Sequence, residues 1–154
     1  MVTAWRLVKS RLASRSLDGE GARRHGGRFS SPGTRVIYAS ESLALATLEV
    51  MAHLGDAGAL ASYSYFRIRF DPKLLDRLER RELPAGWRDY PAPAALRTIG
   101  DRWVAQGRSL ALAVPSAIVP LEMNYLINPA HPGFRSVRID PAQPLEPDPR
   151  LTNR

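Results

Sequence analysis

The run from Leu43 to Leu54 has a helical pattern and is apolar on nearly every side. At about 100° per residue, Leu43, Ala46, Val50, Met51 and Leu54 cover one flank, and Leu45, Leu48 and Ala52 cover much of the other. Such a helix needs cover on two sides, so it predicts a core in which this element is sandwiched. What remains is a narrow polar stripe, Glu49 with His53 at i+4. A carboxylate in that position is costly without partners. It is therefore either a structural ion pair with His53 as its nearest candidate, or a functional carboxylate that stabilises a developing cation or orients a hydroxyl.

The elements around this helix are short and irregularly mixed. Ala4-Trp5-Arg6-Leu7-Val8 reads as a first strand, and Leu17 to Gly27, rich in glycine and charge, as a loop. Arg28 to Tyr38 reads as a hairpin, because Ser31-Pro32-Gly33-Thr34 has the residue order of a type II turn. Ser40-Glu41 predicts the N-cap of the apolar helix, and Gly55 its C-cap. Tyr63 to Phe70 alternates Phe66, Ile68 and Phe70 against Arg67 and Arg69, a half-buried strand. Pro72 opens a predicted amphipathic helix through about Arg81 on Leu74, Leu75 and Leu78. Leu83 to Pro93 is an ordered loop. A further helix spans Ala94 to Gln106 and stops at Gly107. Strands are predicted near Leu110–Val114, Asn124–Ile127 and Ser136–Ile139. Six or so strands among about three helices specify an α+β fold, a compact mixed sheet, and not a doubly wound one.

With 154 residues, 44% hydrophobic and 24% charged, the chain is expected to form a single domain, 1–154, with a substantial core. There is no cysteine, which removes disulfides, thiolate nucleophiles and thiolate metal sites. No apolar run has the length of a membrane span and the N-terminus lacks a secretory pattern, so the expected location is the cytoplasm and no membrane partner is expected. The net charge of +7 permits nucleic acid, a phosphate-bearing molecule or an acidic protein as partner. The cations are scattered, without a basic run or a recognition helix, so direct nucleic-acid binding is not expected.

Few residues look like chemistry. Arg28 follows Gly26-Gly27, where the backbone allows close approach, and an arginine there suits bidentate capture of phosphate or carboxylate. A strand arginine in solvent is the other reading. Ser116 follows a strand-like run and Pro115. A Ser–His–Glu hydrolase from Ser116, Glu49 and His53 or His131 lacks the G-x-S-x-G context, so Ser116 is read as a hydrogen-bonding positioner. Tyr38 ends a strand before the Glu49 helix, placed either to line its cleft or to fill the core. Asn124 and Asn128 share a strand face by even spacing and either satisfy backbone groups or bind substrate. His131 sits in a turn. His25, His53 and His131 have no metal-ligand spacing, so no metal is expected.

Taken together, His25–Ser40, Ala44–His53, Ile99-Gly100-Asp101-Arg102-Trp103 and Val114–Pro132 resemble the RES domain, the toxin half of RES–Xre toxin–antitoxin pairs. The resemblance spans nearly the whole chain. The arginine, glutamate and serine that name the domain match Arg28, Glu49 and Ser116. One departure is Ser30, where the family frequently has asparagine. The resemblance implies a fold similar to ADP-ribosyltransferase toxins and an enzyme that depletes NAD by cleaving its nicotinamide–ribose bond, as a glycohydrolase or phosphorylase. The alternative is a mono-ADP-ribosyltransferase that modifies a cellular protein. NAD would be a consumed substrate and not a cofactor, with inorganic phosphate as a candidate co-substrate. An Xre-like antitoxin would block the site. In the roles this implies, Glu49 stabilises the oxocarbenium-like ribosyl centre and Arg28 clamps the pyrophosphate. Tyr38 packs on the nicotinamide or its ribose, and Ser116 and Asn128 bind the substrate.

Overall fold

The computed structural model describes residues 1–153. In chain order the elements are β1 (Val2–Lys9), α1 (Glu20–His25), β2 (Ile37–Ser40), α2 (Leu43–Met51), β3 (Tyr63–Phe70) and β4 (Leu75–Arg77). Then follow α3 (Ala94–Gln106), β5 (Ala111–Pro115), β6 (Met123–Ile127), β7 (Arg138–Ile139), β8 (Gln143–Pro144) and α4 (Pro149–Thr152). The strands form one mixed sheet in the order β4-β5-β6-β2-β1-β3-β7, with β8 also paired to β3. Only β4–β5 is parallel. The fold is α+β, as expected.

Alternation splits the core across this sheet. Ala111, Ala113, Tyr125 and Ile127 face one side with Ala4, Val8, Ile37 and Ile68. Leu112, Val114 and Leu126 face the other, against Leu96 and Trp103 of α3 and Phe29. All five residues of β5 are buried, which explains its unbroken apolar run. A third cluster joins α2 to β1 and β3 through Ala46, Leu7, Leu60 and Tyr63.

Several local expectations change. The segment expected as a loop from Leu17 to Gly27 contains α1, because Asp18 caps Glu20 N and Glu20 pairs with Arg23, Arg24 and Arg35. The expected hairpin reduces to a Gly27–Ser30 bridge and a turn, with only Ile37–Ser40 in the sheet. Side chains hold that segment in place of a ladder. The turn itself is as expected: Thr34 N donates to Ser31 O and Gly33 has φ 102°. The N-cap of α2 is Ser42, whose hydroxyl accepts from Leu45 N, and Glu41 instead accepts from Met123 N. The helix ends at Met51, before Gly55, in a tightened turn closed by His53 N and Leu54 N. It is not sandwiched either, for Leu48 is 43% exposed. The predicted helix Pro72–Arg81 is two 3₁₀ turns around β4. The open edge of β5 offers Leu75–Arg77 a parallel partner, and that pairing overrides the helical stripe.

One feature of the sheet makes room for a site. β1 pairs with β3 along its full length but with β2 only at Trp5–Ser40. The sheet therefore splays between β1 and β2, and a cavity opens there beneath α2.

Candidate active site

That cavity has a volume of about 550 Å³ and is walled by β1, β2, α2 and the Gly26–Phe29 segment. Among the described residues Glu49 is the one acid lining it, together with the cations Arg6, Lys9 and Arg28. Position on α2 aims Glu49 toward the sheet, where two side chains from β6 and the loop after β5 meet it. Ser116 Oγ donates to Glu49 Oε1 at 2.6 Å, and Asn124 Nδ2 donates to the same oxygen at 2.7 Å. Ser40 Oγ donates to Asn124 Oδ1, which fixes the amide with its NH2 toward Glu49. Glu49 Oε2 has no hydrogen-bond partner among the described residues. One carboxylate oxygen is thus pinned and the other is available to the cavity.

Ser116 is fully buried and does not line the cavity. Its hydroxyl also accepts from Ile118 N and Val119 N, each at 3.0 Å. Where a direct substrate contact was expected of Ser116, its one hydrogen is committed to Glu49 and its position is behind that carboxylate. Asn128, also expected to bind substrate, sits apart from Glu49. It is buried outside the cavity, and its Oδ1 accepts from Ala130 N in the turn after β6. His53 does not pair with Glu49; its ring lies against Tyr90 at 5.6 Å between centroids, and it lines the cavity rim. His131 is structural, accepting from Gly133 N.

Arg28 does reach the cavity. Its NH1 donates to Trp87 O at 3.1 Å and Asp89 O at 3.0 Å, both in the Leu83–Pro93 loop. Nε and NH2 have no partner among the described residues, so the edge suited to bidentate anion binding is unspent. The loop is held in turn by Arg88 Nε on Ala117 O and by Arg80 over the Trp87 ring. Tyr38 lines the cavity, and its hydroxyl accepts from Phe29 N and bonds with Ser30 Oγ. Burial pushes that hydroxyl's pKa up, opposed by those hydrogen bonds, so Tyr38 is neutral at physiological pH. Gly27 packs on this ring: a Cβ there would lie 2.6 Å from the Tyr38 hydroxyl oxygen. Ser30, the residue that departs from asparagine, is fully buried in this contact.

Two residues were not anticipated as parts of the site. Arg6 reaches across the splay, donating through NH1 to Tyr38 O and through Nε to Ser16 O. Burial lowers its pKa to about 10, with Asp18 pulling the other way, so it remains a cation at neutral pH. The signal was present, a charge set between Trp5 and Leu7 in the apolar stretch Ala4–Val8 of β1. Asp101 on α3 accepts from Ser31 N and Thr34 Oγ1, each at 2.9 Å, and so fixes the segment that carries Arg28. Burial opposes its charge, but hydrogen bonds from Ser31 and Thr34 and the nearby Arg97 outweigh it and hold the carboxyl below the usual range. Among the described residues no three or more His, Asp or Glu side chains come together as a metal site would need, and no helix is long and apolar enough to cross a membrane.

The RES domain family model matches residues 3–148. A protein of Yersinia enterocolitica named Toxin Res is 37% identical over 149 residues, covering 96% of this chain and 97% of that one. A Sphingobium protein named Prs ADP-ribosylating toxin is 36% identical over 141 residues, covering 90% and 88%. Among solved structures, a chain from the crystal structure of the M. tuberculosis MbcT–MbcA toxin–antitoxin complex superposes with a TM-score of 0.70. It is 21% identical and covers 98% of this chain and 86% of that one, a likeness that shows the fold.

Proposed function

The chain belongs to the RES domain family, and on that premise we propose that it is the toxin of a toxin–antitoxin pair and cleaves the nicotinamide–ribose bond of NAD. The observation that carries this reading is the state of Glu49. A carboxylate pinned through Oε1, with Oε2 unengaged, stands in a cavity whose other charged lining residues are the cations Arg6, Lys9 and Arg28. An anion fixed beforehand stabilises positive charge as it develops, with no reorganisation at the moment of reaction. When the C1″–N bond breaks, its electron pair leaves with nicotinamide and the ribosyl carbon becomes oxocarbenium-like. Glu49 Oε2 meets that carbon or its 2″-hydroxyl. The unspent edge of Arg28 takes the pyrophosphate, with Arg6 as a second cation on the same anion. Tyr38 gives the ring a flat wall. Ser116 and Asn124 act through Glu49 and do not touch substrate.

The acceptor that forms the new C1″–O bond is water or inorganic phosphate in this reading. A second reading, transfer of ADP-ribose to a protein, is favoured by the name of the Sphingobium relative. The partner is an antitoxin, Xre-like in type, which covers the cavity mouth. It is supported by the structural neighbour, solved as a toxin–antitoxin complex.

Purified protein incubated with NAD should release nicotinamide, and Glu49→Ala should abolish release while the variant stays folded. Chromatography with and without phosphate separates ADP-ribose from ADP-ribose-1″-phosphate. Labelled NAD in a lysate reveals a modified protein. Absence of nicotinamide release under all three conditions would overturn the proposal.

A further inference from the structure

Arg28 borders a second chamber as well as the first. This one has a volume of about 480 Å³ and shares Gly26, Gly27, Arg28 and His53 with the Glu49 cavity. Beyond that shared edge its lining includes His25, Arg97 and Tyr90, and among the described residues no carboxylate lines it. Tyr90 is 77% exposed, a large ring with no packing role to explain it, steadied only at one side by His53.

Two chambers meeting at an arginine with an unspent edge suit a dinucleotide. The nicotinamide ribose would lie in the Glu49 cavity, the pyrophosphate at Arg28, and the adenosine in the second chamber against Tyr90. This placement rests on the proposed NAD cleavage. Its consequence concerns the adenosine ribose. In Rossmann-type sites a carboxylate on the 2′-hydroxyl selects NAD and repels a 2′-phosphate, whereas an arginine nearby accommodates that phosphate, and the same charge logic holds for any chamber that takes the adenosine ribose. Here the carboxylate is missing from the lining, and Arg97 with His25 is present. Asp101, one helical turn from Arg97 and within its electrostatic reach, accepts from Ser31 N and Thr34 Oγ1, and neither it nor Asp89 beside Tyr90 is part of the lining.

We infer that the second chamber accepts a 2′-phosphorylated adenosine, so that the protein cleaves NADP as well as NAD, with Arg97 as the residue that reads the 2′-phosphate. The reaction balances as for NAD. The C1″–N bond breaks with its pair going to nicotinamide, a C1″–O bond forms to the acceptor, and 2′-phospho-ADP-ribose replaces ADP-ribose as product. No redox step is involved.

The test compares kcat/KM for the two dinucleotides in wild type, Arg97→Glu and Arg97→Lys, with circular dichroism confirming the fold of each. Wild type should cleave NADP at least as efficiently as NAD. Arg97→Glu should lower the NADP-to-NAD ratio by about tenfold or more, as expected for replacing a phosphate-binding cation with an anion, and Arg97→Lys should largely keep it. Calorimetry adds an arm independent of turnover, with 2′,5′-ADP binding wild type more tightly than ADP and losing that advantage in Arg97→Glu. NAD cleavage without NADP cleavage, or an unchanged ratio in Arg97→Glu, would overturn this inference and leave the proposed function intact. If neither dinucleotide is cleaved, the proposed function falls, and the calorimetric comparison still decides the chamber.

Discussion

Replacing Ser116 by alanine separates the roles a serine can play here. The hydroxyl makes three hydrogen bonds, donating to Glu49 and accepting from Ile118 N and Val119 N, in a position without solvent exposure. A hydrogen bond to a charged group contributes about 1.5–3 kcal/mol net. If that energy is what holds Glu49 Oε2 in place during bond cleavage, its loss lowers kcat by about 10- to 150-fold. Asn124 keeps its own bond to Oε1, which places the effect toward the lower end. KM should move by no more than about threefold, because Ser116 contacts no substrate. The two stranded amides cost stability as well. With a total loss of roughly 3 kcal/mol, the midpoint of a domain this size falls by about 6–12 °C. Steady-state nicotinamide release and thermal unfolding measure both. Combination with Asn124→Ala should be non-additive, since both side chains donate to one oxygen. A KM rise at constant kcat would make Ser116 a substrate contact. A loss beyond about 10⁴ would make it a nucleophile. Either result refutes the argument.

Three further outcomes follow from the supports of the cavity. In Gly100→Ala, the new Cβ would fall 1.6 Å from Phe29 O, so α3 or the Arg28 segment must shift. The expected cost is about 3 kcal/mol or more, read as a midpoint roughly 6–12 °C lower, and an unchanged midpoint would contradict the packing. Asp101 has a depressed folded pKa, so its stabilisation is fully present above the unfolded value of about 3.9 and is lost as pH falls through the folded one. The midpoint difference between wild type and Asp101→Asn should therefore be constant above about pH 5 and shrink below about pH 4. For Arg6, burial disfavours the charge, so the cation costs folding energy at neutral pH, and that cost is relieved as pH rises past about 10. Arg6→Met removes that cost but strands the Tyr38 and Ser16 carbonyls that Arg6 bonds, so the midpoint should fall by a few degrees, while KM for NAD rises about tenfold or more with kcat little changed, the split expected of a substrate-binding cation.

The parts of the fold written in local pattern were legible. Tyr63–Phe70 alternates and is β3, and Ala94–Gln106 with Gly107 behind it is α3, ending on a glycine at φ 61°. The parts decided by partners far away in the chain were not. Leu74, Leu75 and Leu78 make a fair helical stripe, yet a strand edge more than thirty residues on captured the segment. Arg28–Tyr38 carries a genuine turn signal, but Tyr38 and Asp101 side chains took the hydrogen bonds that a hairpin ladder would have used. Turn chemistry fixes a bend and does not say whether the two arms pair.

The same distinction governs the site. A polar residue in an apolar frame announces that a partner exists, and local spacing can only nominate neighbours. For Glu49 spacing nominated His53, whereas the partners are Ser116 and Asn124, 67 and 75 positions away. In the proposed function, those partners let one carboxylate be both structural and functional. Burial obliges the chain to supply hydrogen bonds to Glu49, and supplying both to a single oxygen satisfies the group while leaving the second one aimed and free. Rigidity bought for stability is then the preorganisation that catalysis needs. On the proposed reaction, Ser116, invisible from the cavity, would contribute through Glu49 as Arg28, which faces it, would contribute directly.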